Sequence, residues 1–279
     1  MVLENIETSN DAEKKPWHVF IYGVMATTVS LFLAYYIFPS QISTTFLFLI
    51  TIAAFPMIYN VLNDEETLDE DYKRIDLGFL KIHRKAFDIY GFLFLGIIVA
   101  ASFWYTAMPS DFVKNAFGEQ IKTLSSIRGD GIKTAFAIVD GSGFLPIFLN
   151  NFSVAFISFL LSFFYGAGAV FILAWNASII AVFIGNMARA ASAQISHPFS
   201  SAYGYMISLP TGLLSIALHG IPEIAAYFVA GIAGEILSIG IIKRHQDTRI
   251  IKDAVALFGL SVALLIFAAF VEVWVTPAL

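Results

Sequence analysis

The sequence predicts an all-α fold: a polytopic bundle of transmembrane helices with about seven spans, bounded between six and eight. Three observations carry this. Hydrophobic residues make up 58% of the 279-residue chain and charged residues 13%, with a mean hydropathy of +0.77, a composition unlike that of a soluble domain. Apolar runs long enough to cross a hydrocarbon core of about 30 Å, which takes about 20 helical residues, recur along the chain. Lysine and arginine concentrate in alternate segments between those runs, as they do where a chain weaves through a bilayer.

The first span is Trp17–Phe38. It is longer than a signal-peptide core and no small-x-small cleavage site follows it, so the chain is expected to keep its N-terminus. Thr44–Leu62 and Phe87–Met108 follow. Between them lies a charged hairpin, Asp64–Asp88, whose mixed signs read as a solvated helix with no chemistry assigned. Pro109–Phe144 is an outer loop. In it Val113, Phe117, Ile121 and Leu124 fall at helical spacing among Lys114, Glu119 and Lys122. This spacing predicts a helix that either lies in the outer interface or packs over the spans as a lid. Leu145–Tyr165 and Ala169–Met187 are joined by the tight turn Gly166-Ala167-Gly168, and Ala254–Val275 is the last span.

Tyr205–Ile242 is too long for one upright span and short for two. The reading is a re-entrant or broken helix near 205–223. An interfacial or re-entrant piece, Tyr205–Leu218, containing Pro210, is followed by a break at His219-Gly220-Ile221-Pro222-Glu223 and a span from Pro222 to Ile242. Pro222 suits the first turn of a helix, where its missing N–H would be an orphan anyway. Glu223 would then face the positive end of the helix dipole.

Eleven of the sixteen Lys and Arg residues lie on one side if the N-terminus is cytoplasmic: Lys14, Lys15, Lys73, Arg74, Lys81, Arg84, Lys85, Lys243, Arg244, Arg249 and Lys252. The expected topology is therefore N-terminus inside and C-terminus outside, in a multi-pass protein of the cell (plasma) membrane. The net charge of −5 comes from acidic clusters at the N-terminus and Asp64–Asp71. No basic patch suggests nucleic acid. The chain has no cysteine, which excludes disulfides, thiolate metal sites and cysteine nucleophiles.

With this topology Asn150 and Asn151 lie about five residues into a span entered from outside, ~8 Å deep at 1.5 Å per residue. His219, Gly220 and Glu223 lie at the outer start of the next-to-last span, and Glu272 near the outer end of the last. Polar groups at one depth on three segments are expected to face one another inside the bundle, because exposure to lipid costs several kcal/mol. Such groups act as glue between helices, as a ligand or ion site, or as a catalytic site, and the residues alone leave all three open.

Past Glu223, Ala226, Ala230 and Gly234 share a helix face with Gly231 beside them. This is a surface for close helix packing, with a homo-dimer interface as the alternative. Glu235 stands off that face and needs a partner that the sequence does not name. Asn176 reads most simply as an interhelical hydrogen bond. Asn151-Phe152-Ser153 and Asn176-Ala177-Ser178 match the glycosylation pattern but lie inside spans. No G-x-x-x-x-G-K-[ST], G-x-S-x-G or H-E-x-x-H occurs. Ser215 and Ser196 stand near His219 and His197 without a supporting motif, and one histidine with two glutamates is a scattered metal set. Neither metal nor cofactor is expected.

The chain also resembles a known family. Asn150-Asn151 opening a span, Asn176 in the next, His219-Gly220-x-x-Glu223, Ala230-Gly231-x-x-Gly234 and Glu272-x-x-x-Thr276-Pro277, with His83-Arg84-Lys85-Ala86-Phe87 leading into the third span, are similar to the stage II sporulation protein M family. The resemblance covers roughly residues 83–279, a five-span membrane domain. Residues 1–82, two spans and the charged hairpin, look like an addition. The resemblance implies a non-enzymatic membrane scaffold or membrane-remodelling component that organises other membrane or envelope proteins. In spore-forming bacteria the family's namesake recruits two peptidoglycan-degrading proteins. The alternatives are a transporter or permease component binding a small solute or ion at the Glu223 break, and, third, an intramembrane hydrolase using His219 and Glu223.

Overall fold

Each long apolar run is a helix, because a backbone in hydrocarbon must satisfy its own N–H and C=O groups. The computed structural model describes residues 17–69, 84–126, 143–165, 168–197, 199–242 and 248–276, and among these there is no strand. The helices are α1 (Trp17–Ile37), α2 (Ile42–Asp69), α3 (Arg84–Ala107), the short α4 (Ser110–Ala116), α5 (Phe144–Tyr165), α6 (Gly168–Ser192), α7 (Ser200–Ile242) and α8 (Thr248–Phe270). The last widens into a π-helical turn at Val271–Val275. Six of them, α1, α3, α5, α6, α7 and α8, are long and apolar enough to cross a membrane, and α2 carries a shorter apolar stretch, Ile42–Ile58. The order agrees with the seven spans read from the sequence. Residues 70–83 of the expected charged hairpin Asp64–Asp88, the turn residues 166–167, the cations at 243–247 and the acidic N-terminus lie outside the described residues, and the hairpin's two ends continue α2 to Asp69 and open α3 at Arg84.

One correction is large. The re-entrant piece and break expected near 205–223 are replaced by a single helix, with Pro210 and Pro222 both inside α7. Each interior proline deletes one backbone hydrogen bond and costs about 3 kcal/mol. Neighbouring helices offset that cost by packing along the whole length. Gly204 lies against Ala188 and Ser192 of α6, Gly212 against Ile184 of α6, Gly234 against Phe159 of α5, and Gly240 against Ile250 of α8. No helix begins at Pro222, so the dipole argument for Glu223 falls with the break. At 43 residues α7 is about 64 Å long, roughly twice the hydrocarbon core.

A continuous apolar core runs from Val19 of α1 through Phe46 of α2, Leu93 of α3 and Val170 of α6 to Val229 of α7. The first two helices are therefore packed into the same core as the rest. A smaller cluster, Ala155, Ala226, Tyr227, Ala230 and Leu265, sits between α5, α7 and α8. The segment after α3 packs down on the bundle: Val113 and Phe117 are buried, and the Gln120 amide donates to Ser43 O at 3.0 Å. This is the lid arrangement, not a helix lying in the interface. Arg189 of α6 closes the C-terminal end of α3, where a helix leaves carbonyls unpaired. Its Nε donates to Tyr105 O at 2.8 Å, and its Nη2 donates to Met108 O.

Candidate functional site

Intramembrane polar residues converge where α5, α7 and the π turn meet, and Tyr227 is their centre. Tyr227 Oη donates to Glu223 Oε1 at 2.6 Å, one turn back on α7. It also stands 3.1 Å from Asn151 Oδ1 on α5. Asn150 Nδ2 donates to the same Asn151 oxygen at 3.2 Å, while the Asn150 side chain faces outward. A phenol carries one proton and cannot donate to two acceptors. The trio therefore holds an added proton or reverses the Asn151 amide.

In the unbroken helix His219 and Glu223 are one turn apart on the same face. Glu272 lies within electrostatic reach of His219, Glu223 and Tyr227. The π turn widens the last part of the final span at Glu272, and such turns are frequent at functional sites. Buried His219 Nδ1 has no hydrogen-bond partner among the described residues. The structure thus brings Asn151, His219, Glu223 and Glu272 into one neighbourhood and leaves Asn150 on its rim.

Tyr227 was not singled out in the sequence, because a tyrosine in an apolar run reads as an aromatic packing residue. Its one-turn spacing from Glu223 becomes informative only once the helix is known to be continuous. Serines reinforce the same seam. Ser158 Oγ of α5 donates to Tyr227 O at 3.3 Å, and Ser261 Oγ of α8 donates to Ala226 O at 2.8 Å.

The small-residue face of α7 is used within the chain. A Cβ on Gly231 would lie 2.4 Å from Ala169 Cβ, and one on Gly234 would lie 2.2 Å from Phe159 O. Ala226 and Ala230 are fully buried. This face packs on α5, α6 and α8 within the chain. Asn176 corrects another expectation: its Nδ2 donates to Ile172 O of its own helix at 2.8 Å. A carbonyl one turn back is always in reach of a mid-helix asparagine, whereas a cross-helix partner requires a particular rotation.

Glu235 finds the partner that the sequence did not name. Fully buried, it accepts from Tyr90 Oη of α3 at 3.4 Å, and its Oε1 has no hydrogen-bond partner among the described residues. Ser215 Oγ donates to Gly212 O at 2.8 Å, so its proton is engaged by its own helix. His197 Nδ1 accepts from Phe199 N at 3.2 Å. Among the described residues, no three His, Asp or Glu side chains are grouped to hold a metal ion.

A family model described as Stage II sporulation protein M matches residues 89–277. That stretch begins within α3 and contains every residue of the polar seam. Comparison with curated proteins and with solved structures found no match.

Proposed function

Since the chain belongs to the stage II sporulation protein M family, we propose that this integral membrane protein is a non-enzymatic scaffold that organises other membrane or envelope proteins. The observation that carries the reading is the use made of the polar seam. Tyr227 links Glu223 to Asn151 across two helices, so the groups that would bind a solute instead hold α5 to α7. The apolar groove between α3, α6 and α7 touches this set only at Gly220, so this groove is not a polar path to Glu223. In this reading the N-terminus is cytoplasmic and the C-terminus outside.

Co-purification from native membranes tests the role. A stoichiometric envelope protein retained through mild detergent is the expected result; an ATPase partner, or solute flux in proteoliposomes abolished by Glu223→Ala, would replace the scaffold with a transporter. The absence of cysteine makes the orientation simple to test. Ser40→Cys and Ser201→Cys should react with an impermeant maleimide on intact cells, and Asp69→Cys only after lysis. The reverse pattern would invert the topology.

A further inference from the structure

Of the six spanning helices α5 is the least covered: 17% of its apolar stretch is buried, against 28–61% in the others. Its inner row, Asn151, Ala155, Ser158 and Ser162, is buried against the bundle. Roughly opposite, at 3.6 residues per turn, runs a second row: Pro146, Asn150, Ser153, Ile157, Leu160 and Phe164. Leu160 is half-buried and the others are exposed. Steps of four and three alternate along this row without a break. That is the seven-residue pattern by which two helices pair side by side in a left-handed crossing.

Most of the row suits lipid, but Asn150 does not. Phe144 at the start of α5 packs on Trp274, with ring centroids 5.7 Å apart. Trp274 is exposed at the end of the last span, and a tryptophan so placed sits at headgroup level. Asn150 lies ~9 Å farther along α5 at 1.5 Å per residue, inside the hydrocarbon. One Nδ2 hydrogen goes to Asn151 Oδ1. The other Nδ2 hydrogen and Oδ1 have no partner among the described residues, and the side chain faces outward. Acyl chains satisfy neither group, and an unmet amide in hydrocarbon is costly. Ser153, the next residue of the row, spends its hydroxyl on Leu149 O of its own helix at 2.8 Å. It therefore leaves a small surface that a second helix can approach closely.

One donor and one acceptor are what a second carboxamide completes. All copies of a membrane protein insert the same way. A two-fold axis along the membrane normal therefore brings Asn150 of two copies to one depth, where each donates to the other. A helix of another sequence would need its own amide at that depth. We propose that two copies of this chain pair through α5, with the Asn150 amides hydrogen-bonded across the axis and Ser153 and Ile157 continuing the contact. A single asparagine in such a row fixes register and pairing. The inference rests on neither the scaffold reading nor the seam around Tyr227.

The test uses the full chain. It has no cysteine, so single-cysteine variants report pairing directly in native membranes. Under mild oxidation Ser153→Cys should cross-link into a species of twice the chain's mass. Val255→Cys, on the exposed face of α8, should not. Affinity is read by energy transfer between chains labelled at Ser201→Cys in liposomes, as they are diluted with lipid. Asn150→Leu should weaken pairing about tenfold, the worth of two interhelical hydrogen bonds, with the monomer's melting temperature nearly unchanged. Asn150→Gln keeps the amide and should pair like wild type. Ser153→Phe should also weaken pairing, and it serves if Asn150→Leu does not fold.

A chain that stays monomeric at every dilution overturns the proposal and leaves the row to lipid. So does a folded Asn150→Leu protein that pairs like wild type. Cross-linking of Ser153→Cys to a protein of another mass would assign the row to a different partner and also overturn it.

Discussion

Where α1 crosses α3, the contact is backbone on backbone. A Cβ on Gly96 would lie 2.5 Å from Phe20 O and 3.1 Å from Gly23 Cα, and nearer the C-terminal end of α3 a polar bond, Trp104 Nε1 to Thr28 Oγ1 at 3.0 Å, joins the pair. Where α7 meets α5 and α8, a tyrosine, a glutamate, an asparagine and two serines join the helices. Lipid removes the hydrophobic drive between helices, so a seam in a bilayer is built either from close approach or from hydrogen bonds. The first seam docks a helix that lies wholly ahead of the family-matched residues, and the second lies wholly among them. The first helix is therefore joined to this bundle by close approach with two hydrogen bonds between neutral groups, Trp104 to Thr28 and Tyr22 to Ala53 O, whereas the family portion keeps titratable groups inside the membrane.

The largest expected effect is in the close-approach seam of α1 and α3. Gly96→Ala should destabilise the protein by about 3 kcal/mol, the upper end for overpacking, and this outweighs the roughly 1 kcal/mol that alanine gains over glycine in helix propensity. Reversible unfolding in mixed micelles measures it, and a neutral result would mean that α1 yields without loss and the contrast is unfounded.

Next is the polar seam. Tyr227→Phe leaves Glu223 and Asn151 without their shared partner and should cost about 1–2 kcal/mol. Glu223→Ala should lower the melting temperature more than Phe267→Ala, whose side chain is 54% exposed on the lipid face. A Glu223→Ala protein that melts like wild type while function changes would mark the seam as a working site and not a brace. In a double-mutant cycle, Tyr227→Phe and Glu223→Gln should couple by about 1 kcal/mol; additivity would show that the 2.6 Å contact carries no energy of its own.

Arg189→Gln should cost about 1 kcal/mol, because it uncaps α3 at the membrane surface, where water replaces part of what is lost. The smallest effect is expected at Asn176. Its bond is to its own helix, so Asn176→Leu should shift stability by about 0.5 kcal/mol or less. A loss comparable to Tyr227→Phe would reveal a cross-helix role at Asn176 and blur the distinction between glue and ornament.

The parts of this molecule that were legible in the sequence are those that the solvent dictates. Trp17–Phe38 or Leu145–Tyr165 can only be helical spans, and an inward-facing Asn151, Glu223 or Glu272 follows from the cost of exposing it to lipid. The misreadings share a cause. Pro210 and Pro222 act locally, and local rules predict a break. Asn176 reads as a cross-helix donor, but the carbonyl of Ile172 in its own helix is nearer. Tyr227 and Tyr90 were invisible as partners because tyrosine suits an apolar run, and nothing in a run says which way its hydroxyl points.

By itself, then, the sequence determined which segments enter the membrane, that they are helices, and which polar groups must turn away from lipid. These follow from transfer free energies that each segment carries alone. Only the tertiary structure decided that α7 runs unbroken, that Tyr227 binds Glu223 beside Asn151 while Tyr90 takes Glu235, and that a π turn presents Glu272 to His219. Those outcomes depend on helix rotation and crossing, set by contacts such as Gly234 on Phe159 between residues far apart in the chain. Packing on three neighbours outweighs two prolines, and no local rule contains that sum.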